Sequence, residues 1–226
     1  KSQGAIKKLD YVFEATKLIK ADINVPLIGF TGSPWTLFVY LFYGESPKNR
    51  NEIQDYLKLN SSKTHSYLKA MTEVMHDYVH AQIQSGADCI QIFDSWGGML
   101  DSEYEEFSLM YINELAENIP ANIPVILFTR GKKIDSIIES TDINCFNLDI
   151  SDNIDHHIDK SIVIQGNFDP SKFHSDADKL EQLATQIFEK YKNKNNYIFN
   201  LGSGLTPDID PEKVGIFLEK LSSLSS

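Results

Sequence analysis

The chain has 226 residues, 42% hydrophobic and 23% charged, ordinary proportions for a globular protein that buries a sizeable core. Its formal charge of −11 at pH 7 argues against nucleic acid as a partner, because such proteins cluster Lys and Arg to displace phosphate counterions. No run reaches the roughly 18 apolar residues of a membrane span and no signal-peptide core follows Lys1–Asp10, so a soluble, cytoplasmic protein is expected.

Along the chain, helical and strand-like patterns alternate. Ile6–Ala21 carries Leu9, Val12, Phe13, Ala15 and Ile19 along one side of a helix. Val25–Phe30 is a short apolar strand that runs into Gly32-Ser33-Pro34, where Ser33 is placed to N-cap and Pro34 to open a helix carrying Tyr40. A long helix over Tyr56–Ser85 precedes the strand Asp88–Phe93, and a helix over Glu103–Asn118 precedes the strand Val125–Phe128. Then come a helix over Ile134–Ser140, strands at Asn144–Asp149 and Ser161–Gln165, and a helix over Asp176–Tyr191. Lys192–Asn196 is a polar turn before the strand Tyr197–Leu201. The last helix spans Pro211–Leu221 with Asp210 as cap, and Ser222–Ser226 is expected to fray.

Six apolar strands alternating with helices predict a parallel sheet buried on both faces. Each strand ends in small or polar residues, among them Asp94-Ser95, Thr129-Arg130-Gly131 and Gly202-Ser203-Gly204. Functional groups gather at the C-terminal strand ends of a (β/α)8 TIM barrel, and such a barrel needs eight strands. The expectation is therefore one domain over 1–226, a partial barrel with its N-terminal βα units absent, and a first residue that is Lys rather than Met agrees with a fragment.

The remaining features are mostly bland. Cys89 and Cys145 sit in apolar runs and are expected to be free thiols. His76 and His80 are four residues apart, as in a zinc helix, but Asp77 stands where glutamate is usual. A solvated helix face is the expectation there, His156-His157 is read as surface, and no metal site is expected. Gly202-Ser203-Gly204 has the composition of an anion-binding backbone nest, and free N–H groups after Gly32-Ser33-Pro34 would suit a carboxylate. Neither a G-x-S-x-G elbow nor a P-loop lysine occurs.

Four segments taken together resemble the uroporphyrinogen decarboxylase family. They are Val25-Pro-Leu-Ile-Gly-Phe-Thr-Gly-Ser-Pro-Trp-Thr, Gln91-Ile-Phe-Asp-Ser-Trp-Gly-Gly, Gln165-Gly-Asn-Phe-Asp-Pro and Asn200-Leu-Gly-Ser-Gly-Leu-Thr-Pro-Asp. They stand in the family's order and cover essentially the whole chain. The resemblance implies cofactor-independent decarboxylation of the four acetate side chains of uroporphyrinogen III to coproporphyrinogen III in haem biosynthesis, by a homodimer. Tyr40 matches the family's active-site tyrosine and Ser95 the serine that hydrogen-bonds a substrate carboxylate, with Asp94 and Trp96 as weaker candidates. Ser203 stands where the family has histidine, so it cannot offer an imidazolium to a carboxylate. The family's catalytic aspartate and its arginine-bearing segment lie upstream of the region represented, so no catalytic residue is assigned and an inactive fragment is an expectation. Two other readings stand beside this one: a catalytically lapsed tetrapyrrole binder, kept open by Ser203, and a corrinoid-linked methyltransferase, which would need zinc ligands that Thr129-Arg130-Gly131 and Ser203 do not supply.

Overall fold

The computed structural model describes Gly4 and residues 6–47 and 49–225. These fall into two compact units, Lys1–Phe146 and Asn147–Ser226. In the first unit, a 3-10 turn at Lys7–Leu9 leads into α1 (Asp10–Asp22), followed by β1 (Ile28–Gly32), α2 (Pro34–Tyr43), α3 (Asn51–Gln84) and β2 (Cys89–Asp94). A π-helical stretch, Glu105–Leu109, runs into α4 (Met110–Glu117), and β3 (Val125–Thr129) and the start of β4 (Cys145–Asn147) complete the unit. In the second, the end of β4 is followed by β5 (Val163–Gln165), α5 (Ala177–Tyr191), β6 (Tyr197–Ile198) and α6 (Pro211–Ser225).

The strand-helix alternation of a parallel α/β fold is observed. In the first unit β1, β2, β3 and β4 neighbour one another in that order. β1 pairs in parallel with β2 from Ile28↔Cys89 to Gly32↔Phe93, and β2 with β3 from Ile90↔Val125 to Asp94↔Thr129. That register brings the C-terminal ends of three strands level, at Gly32, Asp94 and Thr129. In the second unit Leu148 N donates to Gln165 O, and β5 pairs in parallel with β6, with a further bridge at Phe168↔Leu201. Its core is Phe173, Leu180, Ala184, Ile209 and Phe217, with Phe168 and Phe199 packed against it.

β1 departs from the expectation of burial on both faces: Phe30 is 60% exposed and Ile28 39%. It is the first strand in the order, so no described strand covers its outer edge. A helix side chain occupies part of that edge instead. Phe30 N donates to Gln82 Oε1 at 3.1 Å, and Gln82 Nε2 donates to Phe30 O at 3.0 Å, so one amide satisfies both backbone groups.

Other departures have local causes. Ile134–Ser140 forms two single 3-10 turns, because β-branched isoleucines among Ser and Asp favour neither α-helix geometry nor its length. β6 is shorter than Tyr197–Leu201, because Asn200 Oδ1 accepts from Leu201 N and competes with the ladder. Ser222–Ser225 does not fray: Ser223 Oγ and Ser225 Oγ donate back to Lys220 O and Leu221 O and the helix continues, while Ser226 lies outside the described residues. Asp176 and Asp210 act as helix caps, accepting from Lys179 N and Glu212 N.

His157 is buried rather than at the surface. It follows the 3-10 turn Ile154–His156, whose three-residue period points Ile154 and His157 to the same inward side and leaves His156 exposed. His76 and His80 are half-buried rather than solvated, with ring centroids 4.4 Å apart and His80 Nε2 bonded to Asn118 O at 3.0 Å. Both cysteines are free, and burial pushes the Cys145 thiol up to about 12. No described helix is long and apolar enough to cross a membrane.

Candidate active site

The candidate site of the first unit is built where β1 and β2 end. Ser33 is extended, φ −70° and ψ 156°, and its Oγ accepts from Thr36 N at 2.9 Å, so α2 starts with the expected cap. Ser33 N donates to Phe93 O, which ties the turn to β2. Ser33 Oγ also donates to Asp94 Oδ1 at 2.6 Å, and Thr36 Oγ1 reaches the same oxygen at 3.4 Å. Two further bonds cross the gap in the same place: Trp35 Nε1 donates to Trp96 O at 2.9 Å and Trp96 N to Thr36 Oγ1 at 3.3 Å.

This staple corrects the expectation that amides at the start of α2 bind a carboxylate. Pro34 has no N–H, Thr36 N and Leu37 N are taken by Ser33, and residues 33–36 are buried. The turn is a rigid mount instead. What it mounts is Tyr40, 40% exposed, whose ring stands edge-on to Trp96 with centroids 6.0 Å apart. Ser95 is half-buried between Asp94 and Trp96. Tyr40 and Ser95 are therefore brought to the same end of neighbouring strands, Tyr40 against the Trp96 ring and Ser95 next to Trp96 in the chain.

Asp94 points inward and is 0% exposed. Burial pushes its pKa up, while the hydroxyls of Ser33, Ser108, Tyr104 and Thr36 around it pull the other way. Its second oxygen, Oδ2, makes no hydrogen bond, and neither do the buried Tyr104 hydroxyl and Ser108 Oγ beside it. Burial, then the neighbouring Asp94 carboxylate, hold the Tyr104 phenol well above its ordinary value, so it stays protonated. Gly97 is required for this closeness, since a Cβ there would overlap Asp94 Oδ2 and lie 2.8 Å from the Tyr104 ring. Tyr104 and Ser108 are not evident candidates in the sequence. The available signal is their four-residue spacing, with a lone Ser108 between Phe107 and Leu109 on an otherwise apolar face.

Basic groups border this end of the sheet. Arg130, exposed just after β3, donates its N–H to Asp94 O and accepts from Gly98 N. Lys132 Nζ donates to Asp101 O and lies 4.9 Å from the Tyr104 ring centre.

In the second unit, Ser203 is half-buried in an otherwise exposed loop that runs to Asp208. Gly202-Ser203-Gly204 does not form a nest. Gly202 N is spent on Phe168 O at 3.0 Å, and neither glycine has the positive φ that alternating nest geometry needs. Gly202 packs against Ile150, whereas Gly204 faces open space. Asn167 Nδ2 donates to Asp149 O and Asp152 O at 2.7 and 2.8 Å, holding the preceding strand-end loops together. Among the described residues, no group of three or more His, Cys, Asp or Glu side chains could hold a metal ion.

Comparison with known proteins gives a consistent picture. A family model described as uroporphyrinogen decarboxylase (URO-D) matches residues 1–224. The uroporphyrinogen decarboxylase of Francisella tularensis subsp. novicida is 36% identical over 234 residues, covering 99% of this chain and 68% of that protein. That of Hydrogenovibrio crunogenus is 37% identical over 231 residues, covering 96% of this chain and 65% of its own. Among solved structures, a methyltransferase from Methanosarcina mazei superposes with a TM-score of 0.71 at 20% identity, over 95% of this chain and 64% of that one. A B12-independent methionine synthase from Shewanella sp. W3-18-1 gives 0.62 at 11% identity, over 93% of this chain and 64% of that one. These structural likenesses establish the fold alone. The family match spans the helix that carries Tyr40, the strand end that carries Ser95 and the loop that carries Ser203, and the chain belongs to the uroporphyrinogen decarboxylase family.

Proposed function

We propose that the chain carries out its family's carboxy-lyase reaction: removal of CO2 from the acetate side chains of uroporphyrinogen III, one after another, to give coproporphyrinogen III without metal or organic cofactor. Protonation of a pyrrole carbon makes the ring an electron sink for the C–C bond that breaks. Loss of CO2, protonation of the exocyclic carbon and release of the proton first placed on the ring carbon turn each CH2–CO2− into CH3, with one proton taken up per CO2 lost. The protein must hold the carboxylates, stabilise the charged ring and deliver that proton.

The observation that carries this reading is the exposed Tyr40 ring set against Trp96, with Ser95 the residue before Trp96 in the chain. An aromatic wall with hydroxyl donors suits a flat tetrapyrrole rimmed by carboxylates. The match to the family across residues 1–224 supports reading 1–226 as one partial barrel domain of that family. Ser203 is the third proposed contact, and as a neutral hydroxyl it offers a weaker hold on a carboxylate than the family's histidine. A homodimer in the cytoplasm is carried over from the family resemblance.

The test is anaerobic incubation with uroporphyrinogen III, then oxidation and chromatographic separation of the porphyrins by carboxylate number. Seven- to four-carboxylate products above a no-protein control are expected. Ser203 favours one second reading, a lapsed relative that binds tetrapyrrole without turnover; binding with no products would establish it in place of the first.

A further inference from the structure

Neither the Tyr40 hydroxyl nor Ser95 Oγ makes a hydrogen bond among the described residues. Their separation is therefore set by the backbone that carries them. That backbone is tied together at one side chain. Ser33 Oγ, from the N-cap of α2, and Thr36 Oγ1, from its first turn, converge on Asp94 Oδ1, and Thr36 Oγ1 in turn accepts from Trp96 N. On the opposite side Gly97 lets the chain fold back over Oδ2, and Tyr104, the N-terminal neighbour of the π-helical stretch, and Ser108 within it stand beside the same carboxyl group. Single π turns inside helices commonly mark functional sites, because they re-aim side chains that a regular helix would turn away.

We propose that Asp94 is the positioning residue of this mouth: through Ser33, Thr36 and Trp96 it fixes the distance between Tyr40 and Ser95, and so sets affinity for a tetrapyrrole that it does not itself touch. This rests on the tetrapyrrole reading above. A purely structural Asp94 would stabilise the fold without being coupled to what Tyr40 and Ser95 bind.

The chain offers a direct probe. Its two tryptophans, Trp35 and Trp96, both belong to the staple, so quenching of their emission by uroporphyrin III reports binding at this mouth. Titrations would compare the 226-residue chain, Asp94→Ala, Asp94→Asn, the pair Tyr40→Phe/Ser95→Ala, and that pair combined with Asp94→Ala. Asp94→Ala is expected to weaken binding about tenfold in the otherwise unchanged chain but less than about twofold once Tyr40 and Ser95 are altered, as coupled sites do. Asp94→Asn keeps an acceptor for Ser33 and Thr36 and is expected to recover most of the loss. Equal weakening on both backgrounds would overturn the proposal.

If Asp94→Ala does not fold, Ser33→Ala, which removes one of the two donors, replaces it, with an expected loss of about threefold on the unchanged background and none on the altered one. If the unchanged chain binds no uroporphyrin, the tetrapyrrole reading itself fails. Asp94 is then judged by tryptophan anisotropy: a fall in Asp94→Ala or Ser33→Ala that Asp94→Asn does not show keeps its positioning role, and no change removes it.

Discussion

The mouth that carries Tyr40 and Ser95 and the loop that carries Ser203 are held by different means. In the first, hydroxyls and an indole N–H lock α2 onto the end of β2 around a buried carboxylate, and every one of those groups lies at or beside a regular element. In the second, Gly202 N bonds Phe168 O and Asn200 Oδ1 bonds Leu201 N, after which the chain runs exposed to Asp208. A site held by buried side chains is precise but intolerant of substitution. A site held by a few backbone bonds accepts change.

The largest effect that would test this contrast is Asp94→Ala. It takes away the acceptor of the buried Ser33 and Thr36 hydroxyls and opens a gap beside Tyr104 and Ser108, and should cost about 3 kcal/mol in urea unfolding. Ser203→Ala should change stability by less than about 0.5 kcal/mol; comparable losses at the two positions would erase the distinction.

Glycines sharpen the comparison at a finer scale. Gly97→Ala would force Asp94 and Tyr104 apart, and Gly202→Ala would set its Cβ 2.7 Å from Ile150 N and 2.9 Å from Ile150 Cα. Each should cost about 2 kcal/mol by thermal or urea unfolding. Gly204→Ala meets nothing within 4 Å and should be close to neutral, so a large loss there would mean that the loop is more tightly built than its open surroundings indicate.

Asp94 also gives the first region a pH signature that the Ser203 loop lacks. Burial raises its pKa in the folded chain above the ordinary 3.8, so the native state holds the proton more tightly than the unfolded one. Its contribution to stability is complete below that ordinary value and is lost as pH rises through the elevated one. The stability of the unchanged chain minus that of Asp94→Asn should therefore be greatest at acid pH and decline on the way up. A difference that grows with pH would show that the surrounding hydroxyls outweigh burial.

The smallest expected effect lies in the second region. Ser203→His introduces an imidazole at the loop and should tighten uroporphyrin binding about threefold at pH 6, where it is largely protonated, and less at pH 8. Equal binding at both values would place Ser203 away from any carboxylate.

Much of this arrangement is legible in the sequence because it rests on local chemistry. Ser33-Pro34 declares a cap and a helix start, and all six strands announce themselves as short apolar runs whose ends agree with the structure to within a few residues. Asp94 and Trp96 stand out as a polar and an aromatic residue past a strand. What pattern reading misses are properties set by distant partners: Asp94 turning inward to Ser33, Tyr104 and Ser108 meeting it from a π-helical stretch, and His157 buried by the pitch of a 3-10 turn. The suggested nest at Gly202-Ser203-Gly204 fails for the same reason, since composition permits it but Phe168 O claims the N–H.

The most direct measurement of the central claim is turnover with and without the side chains of the Tyr40–Ser95 mouth. Uroporphyrinogen III is incubated anaerobically with the unchanged chain and with Tyr40→Phe/Ser95→Ala, and the oxidised products are resolved by carboxylate number. The account predicts seven- to four-carboxylate porphyrins from the unchanged chain and at least about a tenfold loss in the double variant, each lost transition-state contact contributing on the order of 1 kcal/mol. Undiminished turnover in the double variant would contradict it, because the chemistry would then lie away from the Tyr40–Ser95 mouth.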